Sequence, residues 1–162
     1  MSEKVYKDCF KFSFVRNPWD RLVSEYRYRN FWKKFSFRDF VLSNLPEENN
    51  YCDYFRHVMP QSDYLYSDSG DLIVDYVGRF ETLQEDFYKI CDVIDFKNRE
   101  IPHVNKSGLR KVKDRVKRKV GLIKSYQKDF NDFRCFYDDE TASVVEGMYR
   151  KDIESFGYTF DD

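Results

Sequence analysis

Glycine, cysteine, histidine and proline are all scarce in this chain, and each scarcity rules something out. The six glycines are Gly70, Gly78, Gly108, Gly121, Gly147 and Gly157. No two lie close enough to build a glycine-rich phosphate loop, so the nucleotide-binding loops with G-x-G-x-x-G or G-x-x-x-x-G-K spacing are excluded. The four cysteines, Cys9, Cys52, Cys91 and Cys135, make no C-x-x-C pair, and two histidines are too few for an obvious zinc site. No metal is expected, and the cysteines read as buried or half-buried free thiols of a reducing compartment. No apolar run reaches membrane-spanning length, and the first residues lack a secretory signal pattern, so a cytoplasmic protein is expected. A formal net charge of −1 gives no global field for nucleic acid or membrane, so any anion site must be local. Alanine occurs once, at Ala142; Phe (16) and Tyr (13) must supply the core.

What is present fits one folded domain over residues 1–162, with too many apolar and aromatic residues for disorder. The chain is organised around residues 10–26, FKFSFVRNPWDRLVSEY. Phe10, Phe12 and Phe14 alternate with Lys11 and Ser13, which predicts a strand with one buried face. Asn17 is a favoured helix N-cap, and Pro18 suits the first helical position. Asp20 falls at the third, where a carboxylate meets the helix dipole. Arg16 therefore stands at the carboxyl end of a strand beside helix N–H groups expected to be free, a ready site for phosphate or sulfate. Ser24 lies two turns beyond Asn17, on the same side of the helix, within reach of an anion held by Arg16.

The string FVRNPWDRLVSEY resembles the 3′-phosphate-binding motif of sulfotransferases that use 3′-phosphoadenosine 5′-phosphosulfate (PAPS). It is most similar to the Golgi-type and bacterial carbohydrate branch, in which a strand ending V-R-N-P is followed by R-L-x-S-x-Y. The resemblance implies that Arg16 and Ser24 hold the 3′-phosphate of PAPS or of its product PAP. Further along, DYVGRFETLQEDF (75–87) resembles a second segment of that family, which places Phe80 either against the adenine ring or in the core. The loop around Pro102-His103-Val104-Asn105-Lys106-Ser107 resembles a third, closing over the phosphate side; it implies cofactor contacts from Asn105, Lys106 and Ser107. His57, in FRHVMPQSDYL, resembles a histidine region of glycan sulfotransferases, with Val58 where those carry Trp. It is the candidate catalytic base, against the plainer reading of a structural histidine.

Residues 108–125 depart from the family pattern. Leu109, Val112, Val116, Val120 and Ile123 form one helical stripe amid eight basic residues, which predicts an inserted basic amphipathic helix. Its polar side is either a solvated face or a surface for an anionic glycan. Strands are predicted near residues 10–15 and 72–77, and helices from Asn17, Ser36, Thr82 and the 136–141 stretch. Gly157 ends the last. The implied fold is α/β: a truncated parallel sheet of P-loop-NTPase type with two to three short strands and a mostly helical carboxyl-terminal part. In the resembled family a strand and a loop for the 5′-phosphosulfate come first. This chain begins just before the second motif, so an N-terminally incomplete domain is expected, and with it self-association through the exposed sheet edge. If the chain is a fragment of an animal-type enzyme, a Golgi location is implied instead.

Three functions follow as expectations. The first is sulfuryl transfer from PAPS to a carbohydrate hydroxyl. The second is a catalytically inactive PAP- or anion-binding remnant. The third is a basic protein that binds polyanions through residues 108–125. Nucleic acid is not an expected partner.

Overall fold

The computed structural model describes residues 3–101 and 132–162. The expected loop donors Asn105, Lys106 and Ser107, and the basic helix of 108–125, lie outside the described residues. The fold is mixed α/β. A short helix α1 (Glu3–Asp8) leads into strand β1 (Phe12–Val15), helix α2 (Pro18–Tyr28) and a 3₁₀ turn over Phe31–Lys33. Helices α3 (Phe37–Ser43), α4 (Asp53–Val58) and α5 (Ser62–Leu65) follow. Strand β2 (Tyr76–Arg79) feeds α6 (Leu83–Val93), and the carboxyl-terminal part is α7 (Asp139–Met148) and α8 (Arg150–Phe156). Among the described residues no helix is long and apolar enough to cross a membrane.

Helix α2 is the spine of the core. Trp19, Leu22, Val23 and Tyr26, at helical spacing, are all buried on one face. They pack with Phe37, Phe40 and Val41 of α3, Val58 of α4, Val145 of α7 and Tyr149. The scarcity of alanine is met by rings: Tyr26 meets Phe37 edge-on at 5.2 Å, and Phe37 meets Tyr137 edge-on at 4.9 Å. Ser36 caps α3 as its sequence predicts, accepting the Asp39 N–H. Asp138 and Thr141 close a reciprocal capping box on α7. Gly157 ends α8 with φ of 63°, the left-handed conformation a glycine adopts without strain.

The sheet has two parallel strands, with Phe12 opposite Tyr76 and Val15 opposite Arg79. It differs from the sequence expectation in three ways. The alternation of Phe10, Phe12 and Phe14 does not mark the buried face: Phe12 is 42% exposed, and Val15, at 1%, carries the burial. Val15 turns toward Leu65 and Tyr158, while the rings of Phe12 and Phe14 meet edge-on at 6.1 Å across the opposite face. The second strand begins four residues later than the β-branched run suggests. Leu72 makes only an isolated antiparallel bridge to Tyr66. Asp75 sets the later start: its carboxylate accepts the Lys11 N–H at 2.7 Å, and Lys11 Nζ lies 3.0 Å away. Third, Gly78 sits inside the strand rather than ending it. A Cβ there would lie 2.6 Å from Phe14 Cε1, so the strand passes beneath that ring only as glycine. The cysteines also depart from expectation. All four are free, but only Cys91 is buried and Cys52 half-buried; Cys9 and Cys135 are exposed.

One carboxylate fastens β2 to α6. Asp86 is buried and accepts the Arg79 N–H (2.8 Å), the Tyr76 hydroxyl (2.7 Å), the Thr82 hydroxyl (2.8 Å) and Lys89 Nζ (2.7 Å). Burial alone would raise its pKa. The four donors outweigh burial and hold it well below the usual carboxylate range. Asp138, bonded by the Thr141 N–H and hydroxyl and then by Arg38, is lowered to about 2.

Two outcomes are expected. Gly78→Val forces the Phe14 ring aside and should destabilise the protein by about 1–3 kcal/mol, the usual cost of overpacking, read as an earlier urea midpoint. Because both carboxylates are depressed on folding, the stability they contribute is complete above about pH 4 and is lost as pH falls toward 2 and below. Asp86→Asn should lower stability at pH 7 by about 2 kcal/mol, as for a broken buried network, and flatten the acid limb of a stability–pH curve. An unchanged acid limb would remove Asp86 from that role.

Candidate functional site

The site forms where β1 gives way to α2. Asn17 makes the turn and is 1% exposed. Its Oδ1 accepts the Trp19 N–H (3.0 Å) and the Asp20 N–H (3.3 Å), and Arg21 N–H bonds its carbonyl (2.9 Å). Its own N–H donates to Glu81 Oε1 at 2.7 Å, and its Nδ2 donates to the Thr159 carbonyl at 2.9 Å. Pro18 has no N–H. The expectation that free helix N–H groups wait beside Arg16 is therefore corrected: the first turn of α2 is already satisfied by its own cap. Any anion here must be met by side chains.

Arg16 is fixed at both ends. Its N–H donates to Gln61 Oε1 and its carbonyl accepts from Gln61 Nε2, each at 2.9 Å, so a carboxamide holds the backbone as a neighbouring strand would. Gln61 is itself set by the wholly buried Asp152, which accepts the Gln61 and Ser62 N–H groups at 2.7 Å each. The guanidinium spans Asp20, with Nε and Nη2 at 2.7 and 2.6 Å from Oδ2, and lies 4.6 Å over the ring of Phe80. Phe80 follows β2 directly and its N–H extends the ladder to the Val15 carbonyl (2.7 Å). The ring is 47% exposed, so it is a surface platform beside Arg16 and not part of the core.

Ser24 is half-buried, one turn beyond Asp20 on α2, and Arg27, also half-buried, follows at the next turn. Glu81 steadies the rim, with Oε1 on Asn17 and Oε2 accepting the Tyr158 hydroxyl at 3.0 Å. Burial and the Glu81 charge both push the Tyr158 phenol far above its ordinary range, so it stays a donor.

His57 is on α4 and meets α2 at a different place. Its Nδ1 is 3.1 Å from Glu25 Oε2 and its Nε2 3.7 Å from Asp53 Oδ1. Glu25 is one residue on from Ser24, about 100° around the helix. Arg29 bonds Glu25 through Nε and Asp53 through Nη2 (3.0 Å), and the bond to Asp53 holds that carboxyl below its ordinary range. The structure thus brings Arg16 and Phe80 into contact, places Ser24 on the adjoining helix turn, and sets His57 in a separate charge cluster. A concavity of about 380 Å³ between Glu48, Asp63, Tyr66, Asp68 and Lys151 includes none of these residues.

Sequence reading missed Gln61, Glu81 and Asp20's hold on Arg16. Only the last had a local signal, a charge pair four residues apart. Gln61 and Glu81 act across 45 and 64 residues, where no local pattern points to them.

No solved structure gives a significant match to the chain. It is similar to an uncharacterised protein of Archaeoglobus fulgidus, 36% identical over 98 residues, covering 58% of this chain and 74% of that protein. The family model described as "Sulfotransferase family" matches residues 1–159, nearly the whole length. A strand that ends on a clamped arginine, a capped helix bearing a serine on the same flank, and a second parallel strand ending on an exposed ring are thus the local architecture of a chain that belongs to the sulfotransferase family.

Proposed function

We propose that the chain binds the 3′-phosphate of PAPS or PAP through Arg16 and Ser24, with the adenine against Phe80, and transfers the sulfuryl group to a carbohydrate hydroxyl. The observation that carries this reading is the Arg16 guanidinium, held by Asp20 and 4.6 Å above an exposed Phe80 ring. A nucleotide offers both chemistries those residues need, an anion and an aromatic face. When bound, PAPS supplies an activated sulfuryl group; the protein's part is to position and to stabilise charge, as in phosphoryl transfer. Arg16 donates to the phosphate with its plane already fixed, so little side-chain entropy is lost on binding. Ser24 adds a hydroxyl donor. In this reading Asn105, Lys106 and Ser107 complete the phosphate side, and the two described strands belong to a parallel sheet of P-loop-NTPase type.

A second reading is binding without transfer. It is favoured by His57, which is engaged with Glu25 and Asp53. We also propose self-association along β1. The Lys11 and Val15 carbonyls accept the Tyr76 and Phe80 N–H groups, so by alternation the backbone groups of Phe12 and Phe14 face away from β2. Among the described residues, Gln61 covers that edge at Arg16.

Calorimetric titration with PAP is the first test. Arg16→Ala should weaken PAP by roughly 10–100-fold, the worth of a charge-assisted hydrogen bond. Phe80→Ala should cost about 5–100-fold through lost stacking. Transfer from labelled PAPS to mixed glycans then separates the readings: turnover selects the enzyme, binding without turnover selects the second reading, and the absence of both binding and turnover refutes both. For the edge, sedimentation should show a dimer or larger species; a stable compact monomer would count against it.

A further inference from the structure

Asp152 is a wholly buried carboxylate, and burying a charge is costly unless its oxygens are matched by donors. The donors it meets are amides. Oδ1 accepts the Ser62 N–H and Oδ2 the Gln61 N–H, each at 2.7 Å, and Oδ2 also lies 3.4 Å from Gln61 Nε2. All of them belong to two consecutive residues, so this charge fixes Gln61 and the start of α5. The Gln61 carboxamide then spans the backbone of Arg16, Oε1 on its N–H and Nε2 on its carbonyl, each at 2.9 Å. A carboxamide can face a peptide in two senses, and only one makes both bonds. Asp152 Oδ2 selects that sense, because it attracts the amino group and would repel Oε1 in its place.

The ladder to β2 ends on Val15, whose carbonyl accepts the Phe80 N–H at 2.7 Å. At Arg16 the backbone turns to the other side of the strand, where Gln61 receives it. The Cα that carries the guanidinium is thus set from two directions, by β2 through Val15 and by α8 through Asp152 and Gln61. The guanidinium's contacts with Asp20 and with the Phe80 ring at 4.6 Å depend on that placement.

We propose that Gln61 is a positioning residue of the anion site, which supports phosphate binding through the backbone of Arg16 without touching the phosphate. This rests on the reading that Arg16 meets the 3′-phosphate of a nucleotide.

The test compares PAP with 5′-AMP, which lacks the 3′-phosphate, by titration calorimetry on the full chain. Gln61→Met keeps the length of the side chain and removes both bonds to Arg16. It should weaken PAP by about 10-fold and change 5′-AMP far less. Added to Arg16→Ala, it should cost PAP almost nothing further, because its effect runs through the guanidinium that is already gone. A residue that merely stabilises the fold would weaken both ligands, or weaken PAP equally in both backgrounds. If Arg16→Ala binds PAP as the wild type does, the nucleotide reading and this inference fall together. If Arg16→Ala loses PAP affinity but Gln61→Met keeps it, weakens both ligands in equal proportion, or costs the same with and without Arg16, this inference alone is overturned. Should Gln61→Met lose its native circular dichroism, Gln61→Glu decides: it retains an acceptor for the Arg16 N–H and loses the donor to the Arg16 carbonyl, and wild-type PAP affinity in that variant overturns the proposal.

Discussion

The cap that Asn17 forms on α2 is the interaction on which the rest of the structure depends. One buried side chain ends β1, starts the helix that carries the core, and binds the carboxyl-terminal segment at Thr159. Its backbone N–H brings in Glu81 from just beyond β2. Loss of an N-cap typically costs about 1 kcal/mol, but here the same atoms also join three distant pieces of chain. The cap has a second consequence. By consuming the first-turn N–H groups it removes the helix terminus as an anion site and leaves the side chains along the flank of α2 as the groups that could meet one. Those side chains project from a helix whose opposite face is locked by Trp19, Leu22, Val23 and Tyr26. Their spacing is therefore as rigid as the core.

A second constraint fixes Arg16 from outside the helix. The parallel pair β1–β2 satisfies one edge of β1, and at Arg16 the Gln61 carboxamide satisfies the other. Asp152 holds Gln61, so α8 contributes to the placement of Arg16 without touching its side chain. Asp86 plays the corresponding part on the other strand, setting the backbone of Arg79 just before Phe80. The platform and the guanidinium above it are thus each delivered by the end of a strand, and each strand end is fastened by a buried or half-buried polar partner.

How much of this was legible in the sequence depended on range. Asn17-Pro18, Ser36 and Gly157 act within a few residues of themselves, and they mark the boundaries they appear to mark. The alternation at Phe10–Phe14 gave the strand but not its buried face, because aromatic rings also stack on one another at a surface. The run from Leu72 reads as a strand by propensity, yet the pairing begins at Tyr76, where Asp75 meets Lys11 and the Phe14 ring needs Gly78 beneath it. Arg16, Ser24 and Phe80 were singled out by motif, and the contact of Arg16 with Phe80 was beyond any local pattern. Gln61, Glu81 and Asp152 had no signal at all, since a single glutamine, glutamate or aspartate acquires such a role only through contacts made in three dimensions.

A formal net charge of −1 decides how such a site must work. With no overall field, an anionic ligand is not steered from a distance, and salt screens exposed charges beyond about 8–10 Å. Attraction must arise at contact, from donors whose desolvation is already partly complete before the ligand arrives. Arg16, with its side chain 25% exposed and its plane set by Asp20 and Phe80, meets that requirement. Asp20 orients the guanidinium, and it would repel an anion arriving there. The orientation term is local and survives salt, whereas the repulsion is shared with whatever positive charge lies on the same flank. A carboxylate at the base of an anion site is consistent with binding only where the cations around it outnumber it.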